Sequence, residues 1–408
     1  MIGVAREDDI RVLRLCSVYE ALPEAFLRSA GFDAIGGMQV HTARLTEALD
    51  ARGLRQTVVT AYRPGAERLQ LLNARSSVVR VGLPIRRFRQ LYGVAAVPKI
   101  ARTGRVDLVH VHLGEDLVIG PLARWAAWRA GVPLVATVHC SLVHTLVGHD
   151  ARSTILREIG GPMESWLLRS ASAVLVLSER VADRLVASGV PRSRVHVSPL
   201  GIGLEGVTGS RPASTQRGRR IVYAGRLVRE KGVQELIAAF GTLATPDAGL
   251  VIVGDGPERA TLEAAARGVA SGHRIRFVGA VPHDRMGAFL QQAEVVVLPS
   301  WYEERGRVLL EAMAVGTPVV ATRTGGVPVR EGLNGLLVPP RDRRRLARAI
   351  DRILGDDALA ASLAEGGRAT AAGHGIDALA DATLAAYEAA LGRGTEQPRA
   401  ELGMVDGP

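Results

Sequence analysis

Lysine is almost missing from this chain: of 51 basic side chains in 408 residues, only Lys99 and Lys231 end in an ammonium group. Cysteine is as scarce, with Cys16 and Cys140 alone. Two thiols in apolar stretches exclude a disulfide framework and fit a reducing compartment, so a cytoplasmic location is expected. Aromatic residues make up 4%, which leaves few platforms for stacking bases. The net charge of +10 is spread along the chain apart from Arg341 to Arg345, so no nucleic-acid partner is expected. No apolar run approaches the ~18 residues that span a bilayer. Glu7, Asp8 and Asp9 interrupt the first residues, unlike a secretory signal. A basic face lying against anionic lipid is the weaker alternative.

What is present is a regular alternation. Apolar bursts at Ile10 to Cys16, Gln56 to Thr60, Val106 to Val111, Leu134 to Val138, Ala173 to Leu177 and Val195 to Val197 read as buried strands. Met38 to Arg52, Asp116 to Ala130 and Ser178 to Ser188 read as helices between them. A second set has strands at Arg220 to Ala224, Gly249 to Val253, Arg274 to Val278, Glu294 to Leu298 and Pro318 to Ala321. Its helices are Val233 to Leu243, Arg259 to Arg267 and Arg307 to Ala314. Such β-α alternation predicts parallel sheets covered on both faces. The polar, aperiodic stretch from Gly209 to Gly218 reads as a linker. It separates a first α/β domain (residues 1–208) from a second (219–375), with a cleft between them. Residues 393–408 carry Gly, Pro and charge without an apolar face and are expected to be a disordered tail.

The rare lysine sits in a telling place. Gly225-Arg226-Leu227-Val228-Arg229-Glu230-Lys231-Gly232 follows a strand, and a glycine-flanked turn there lets backbone N–H groups approach an anion while Arg226 and Lys231 supply charge. A solvated turn with incidental charge is the plainer reading. Downstream, Glu303 and Glu311 stand eight apart across Pro299-Ser300-Trp301-Tyr302-Glu303 and Glu311-Ala312-Met313-Ala314. Glu311 lies within an apolar helix, where a carboxylate without a partner is costly, so a bound hydroxyl is favoured. Glu303, beside Glu304, could be an ordinary loop acid. Gly254-Asp255-Gly256-Pro257 after a strand imitates a dinucleotide fingerprint, yet no acidic residue ends the following strand to hold a ribose.

Together these segments resemble the nucleotide-sugar half of retaining glycosyltransferases with two facing Rossmann-like domains (the GT-B fold), the large family 4 that includes sucrose synthase and mycothiol-pathway enzymes. The resemblance implies that a C-terminal helix, residues 376–392, returns to the first domain. It also implies that Arg226 and Lys231 neutralise the leaving diphosphate, that Glu303 binds the donor sugar and that Glu311 holds the ribose. Gly36, Gly37, Gly225, Arg305, Gly306 and Val308 would complete the donor site. His139, at the end of the strand Thr137-Val138-His139-Cys140, would sit at the cleft rim beside the reacting carbon and join Arg226, Lys231 and Glu303 as a catalytic group. No cofactor beyond the nucleoside-diphosphate sugar and no metal are implied. His110 and His112 face one side of a strand, but a metal pair lacks a third ligand that the sequence can place.

The chain also departs from its relatives. They usually read Glu-Gly-Phe-Gly where this one reads Glu303-Glu304-Arg305-Gly306, and the glutamate after Gly325-Gly326-Val327-Pro328 is replaced by Val329. The run from Gly31 through Asp33, Gly36, Gly37, Met38 and Gln39 looks like that of aminocyclitol glycosyltransferases from aminoglycoside antibiotic pathways. The expected partners are therefore a UDP-sugar and an aminocyclitol or pseudosaccharide hydroxyl, with Asp33, Gln39, His112, Glu115 and Asp150 as acceptor-side candidates. An inositol phosphate or lipid-linked acceptor is one alternative, and a non-catalytic nucleotide-sugar- or RNA-binding protein is another. Monomer and homodimer are both open.

Overall fold

The computed structural model describes residues 10–19, 37–62, 65–72, 75–83, 91–143, 154–203, 219–281, 283–303, 305–324 and 326–393. The expected linker and the tail beyond residue 393 lie outside these residues. The first sheet holds β1 (Arg11–Cys16), β2 (Arg55–Ala61), β3 (Leu69–Leu72), β4 (Ser76–Val81), β5 (Leu108–Leu113), β6 (Leu134–Val138), β7 (Ala173–Val176) and β8 (Val195–Val197), in the order β3-β4-β2-β1-β5-β6-β7-β8. The helices of this half are α1 (Gly37–Ala51), α2 (Tyr92–Ala101), α3 (Ile119–Ala130), α4 (Gly161–Ser170) and α5 (Glu179–Ala187). All pairings are parallel except β3 with β4. The sheet is thus parallel as expected, with one antiparallel strand added at its edge. Leu69 and Leu71 are exposed, so this edge strand buries too little to give an apolar burst.

The second sheet comprises β9 (Arg220–Ala224), β10 (Gly249–Val253), β11 (Ile275–Gly279), β12 (Val295–Leu298), β13 (Val319–Thr322) and β14 (Leu336–Val338), in the order β11-β10-β9-β12-β13-β14. All its pairings are parallel. Its helices are α6 (Val233–Phe240), α7 (Arg259–Arg267), α8 (His283–Gln291), α9 (Arg307–Ala314), α10 (Arg343–Gly355) and α11 (Asp357–Ala372). The last helix, α12 (Ile376–Ala390), crosses back to the first half. Its Leu379, Ala380, Ala386 and Tyr387 share a core with Leu45, Leu49, Val135 and Leu175. Surface ion pairs from Arg52 to Asp377 (2.9 Å) and Asp381 (3.1 Å) add little beside that burial. No helix among the described residues is long and apolar enough to cross a membrane.

Both sheets reverse strand order at their first strand, β1 between β2 and β5, and β9 between β10 and β12. In open α/β sheets the crevice beyond the carboxyl ends of strands at such a point takes the ligand. The turn carrying Lys231 follows β9, and the loop carrying Glu303 follows its neighbour β12, so residues 72 apart in sequence meet there.

Gly232 makes that meeting possible. It starts α6 with φ of +66°, and a Cβ on it would collide with the Pro299 carbonyl. Neither the left-handed backbone nor the contact tolerates a side chain. Gly232→Val is expected to destabilise the protein by roughly 3 kcal/mol, measured as a drop in the urea midpoint; an unchanged midpoint would contradict this packing.

Candidate functional site

At the end of β9 a single helical turn (Arg229–Lys231) aims the Lys231 ammonium at Glu303, with Nζ 2.8 Å from Oε2. Glu303 is further held by the Ser300 hydroxyl (3.3 Å) and by the amides of Gly306 (3.2 Å) and Arg305 (3.4 Å). Burial would raise its pKa, but the Lys231 charge and these donors outweigh it and keep the carboxyl below its usual range. Arg226 is exposed, with its carbonyl fixed by the Tyr223 hydroxyl at 2.9 Å. The turn thus holds one paired cation, Lys231, and two solvent-facing ones, Arg226 and Arg229.

Glu311 is largely buried as expected, but not for want of a partner: Arg307 Nε, one helical turn earlier on α9, donates to it at 2.9 Å. Its burial therefore gives no argument for a bound hydroxyl, contrary to the expectation from the apolar helix. Gly306 precedes α9 with φ of +55°, and Val308 is partly buried on that helix. Arg305 reaches across the cleft, where its Nη2 donates to the His139 carbonyl at 2.7 Å. Arg180 on α5 makes the converse crossing to the Thr324 carbonyl, also at 2.7 Å. The two halves are therefore latched at the mouth of the site.

His139 does not lie on the rim. It is 2% exposed and belongs to a cluster of four buried imidazoles. His112 Nδ1 and His139 Nε2 are 3.0 Å apart, and the His41 ring stands edge-on to His139 at 4.7 Å between centroids. His110 is bound by Tyr387 Oη (2.7 Å) and Thr137 Oγ1 (2.8 Å). Burial, followed by nearby positive charge, pushes all four below the usual histidine range, His41 to about 3. They are neutral at physiological pH.

The third ligand that the sequence could not place is thereby supplied: ring nitrogens of His41, His112 and His139 lie within 4.8 Å of one another. The donor set is nevertheless a poor one for a metal. Arg14 Nη2 sits 2.7 Å from His112 Nε2 and occupies that lone pair, while Arg305 and Arg307 add positive charge nearby. His112, with both nitrogens engaged, supports the site rather than touching an acceptor, which corrects its place among the acceptor-side candidates. Gln39 is also buried, whereas Glu115 is exposed. Asp33, Gly36 and Asp150 lie outside the described residues, and Gly37 opens α1.

Three residues escaped the sequence reading: Arg14, His41 and Arg307. A signal existed for each. Arg14 interrupts the otherwise apolar Val12-Leu13-Arg14-Leu15-Cys16 at a position that a buried strand turns inward. Arg307 precedes Glu311 by four, a spacing that places both on one helix face. His41 lies four residues into the helix opened by Gly37.

Comparison with known proteins agrees with this architecture. The family described as glycosyl transferases group 1 matches residues 211–370, and the glycosyl transferase 4-like domain matches residues 36–201. A 2-deoxystreptamine glucosyltransferase of Streptomyces kanamyceticus is 33% identical over 392 residues, 87% of this chain and 100% of that protein. A D-inositol 3-phosphate glycosyltransferase of Corynebacterium jeikeium is 29% identical over 91% of this chain and 97% of that protein. Among solved structures, sucrose-phosphate synthase from Thermosynechococcus elongatus superposes with a TM-score of 0.77 at 26% identity, covering 94% of this chain and 100% of that one. Two sheets facing a cleft, the site at their switch points and these relatives lead to one assignment: the chain belongs to the group 1 glycosyltransferases and has the GT-B fold.

Proposed function

We propose that this enzyme transfers a sugar from a nucleoside diphosphate, with UDP as the expected nucleotide, to a hydroxyl of an aminocyclitol, with retention of configuration and with the chain's own cations in place of a metal. The observation that carries the reading is the Lys231–Glu303 pair at 2.8 Å beside Arg226, at the switch point of the second sheet. Cations fixed there stabilise the charge that grows on a departing diphosphate, an effect worth several kcal/mol (order of magnitude) in a closed cleft. The acceptor oxygen bonds to the anomeric carbon on the face from which the diphosphate leaves, and the acceptor proton passes to a leaving phosphate oxygen. Glu303 is a poor nucleophile for a double displacement, because Lys231 and two amides already hold its carboxylate.

The aminocyclitol acceptor is supported by the likeness to the 2-deoxystreptamine glucosyltransferase. A second reading, an inositol phosphate acceptor, has its own support: Arg305 reaches into the cleft with no carboxylate partner among the described residues. A donor panel ranked by heat stabilisation, followed by transfer assays with 2-deoxystreptamine and with inositol 3-phosphate, separates the two. UDP-sugars are expected to raise the melting temperature by several degrees, consistent with ligand concentrations far above Kd (about 2.7 kcal/mol at a hundredfold excess). Absence of stabilisation by any UDP-sugar would sink the donor assignment.

A further inference from the structure

Arg14 is 1% exposed in the middle of β1, and no carboxylate pairs with it among the described residues. Its guanidinium donates to Thr46 Oγ1, to Gln56 Oε1 (3.1 Å) and to His112 Nε2 (2.7 Å), all neutral acceptors. A buried cation without a counter-ion is an expensive feature, and stability alone gives no reason to keep it.

The hydrogen bonds fix what it does. Arginine can only donate, so His112 Nε2 must be a bare acceptor and the proton of His112 must sit on Nδ1. That N–H points at His139 Nε2, 3.0 Å away, so His139 Nε2 is also an acceptor and its proton is on Nδ1. His139 Nδ1 has no partner although it is buried. His41 is the opposite case. It makes a hydrogen bond with the Leu200 backbone of the kind that favours the protonated ring, a ring N–H donating to the carbonyl. Its Nε2 is buried and unpartnered, so Nδ1 is the donor and Nε2 is a bare acceptor. A donor and an acceptor, each orphaned on a side chain 2% exposed, thus lie on neighbouring rings. Only a group that both accepts and donates satisfies the two together, and a hydroxyl does.

We propose that Arg14 is a positioning residue that locks His112 and His139 in single tautomers, so that His139 and His41 present a matched donor and acceptor to one hydroxyl of the sugar being transferred. This rests on the donor reading above only for the identity of the hydroxyl. Arg305, Arg307 and His110 also face this group of rings, and none of them fixes which nitrogen of His139 carries the proton.

Nitrogen-15 NMR of the full chain with labelled histidine tests the relay without any substrate. His112 and His139 are expected to be protonated at Nδ1 alone and neutral near pH 7; a proton on His139 Nε2, or a tautomer mixture, overturns the proposal. Calorimetry with UDP and UDP-glucose tests the consequence. Arg14→Met should weaken UDP-glucose about tenfold, equal to about 1.4 kcal/mol, and leave UDP unchanged, while Arg14→Lys restores most of the loss. Equal weakening of both ligands, or no restoration by lysine, reduces Arg14 to a packing residue and overturns its role. Should unmodified protein bind neither ligand, the donor reading fails while the NMR result still decides the relay. The same spectrum decides it if Arg14→Met does not fold.

Discussion

Lys231→Ala is expected to lower the rate of UDP release from the best donor by about two to three orders of magnitude, the range seen when one preorganised electrostatic contact to a developing charge is removed. It should also destabilise the fold, because Glu303 would remain 11% exposed with its paired cation gone. Stranding a carboxylate in this way costs about 3 kcal/mol. The two effects separate in the double variant Lys231→Ala/Glu303→Gln. With the buried charge removed as well, the thermal midpoint should recover most of its loss while turnover stays low. Recovery of turnover along with the midpoint would mean that Lys231 serves the fold and not the leaving group.

The strands and turns around Lys231 were legible in the sequence, and the interior of the first domain was not. Glycine-flanked turns leave local marks: Gly225 and Gly232 bracket the cations, and β9, β10 and β6 begin and end at the residues where the apolar runs do. α7 and α9 likewise match their patterns, since each pairs a buried stripe with charge on the other face. The edge pair β3 and β4 and the Pro98-containing α2 gave no such signal. One is half solvated, and the other carries a residue that ordinarily argues against a helix interior. The histidine cluster could not be assembled from local pattern at all. Its members come from α1, β5 and the end of β6, and its fixed charge from β1. What binds them is the lateral register Cys16 with His112 and His112 with Thr137, and register between distant strands is written in no short window. Arg14 was visible only as an anomaly, a guanidinium where an aliphatic side chain was due.

The same cluster should make the protein acid-labile well above the carboxylate range. His41, His110, His112 and His139 are neutral in the fold because burial, then neighbouring positive charge, depresses their pKa values. In the unfolded chain each titrates near 6.5. Below that pH the unfolded state therefore binds protons that the folded state refuses, and stability falls as pH falls. Each histidine that stays neutral in the fold costs up to about 1.4 kcal/mol per pH unit, and the four act in the same direction. Stability is therefore expected to fall progressively as pH drops below about 6.5 and to stay nearly level above about pH 7. The window closes only near the folded-state value, about 3 for His41. Urea midpoints measured from pH 8 to pH 5 read the slope directly, and His41→Gln should reduce it by the equivalent of one proton. A flat profile across that range would mean that the rings accept protons inside the fold. Charged rings could not coexist with an unpaired Arg14 2.7 Å from His112, so such a profile would also displace Arg14 from its place beneath them.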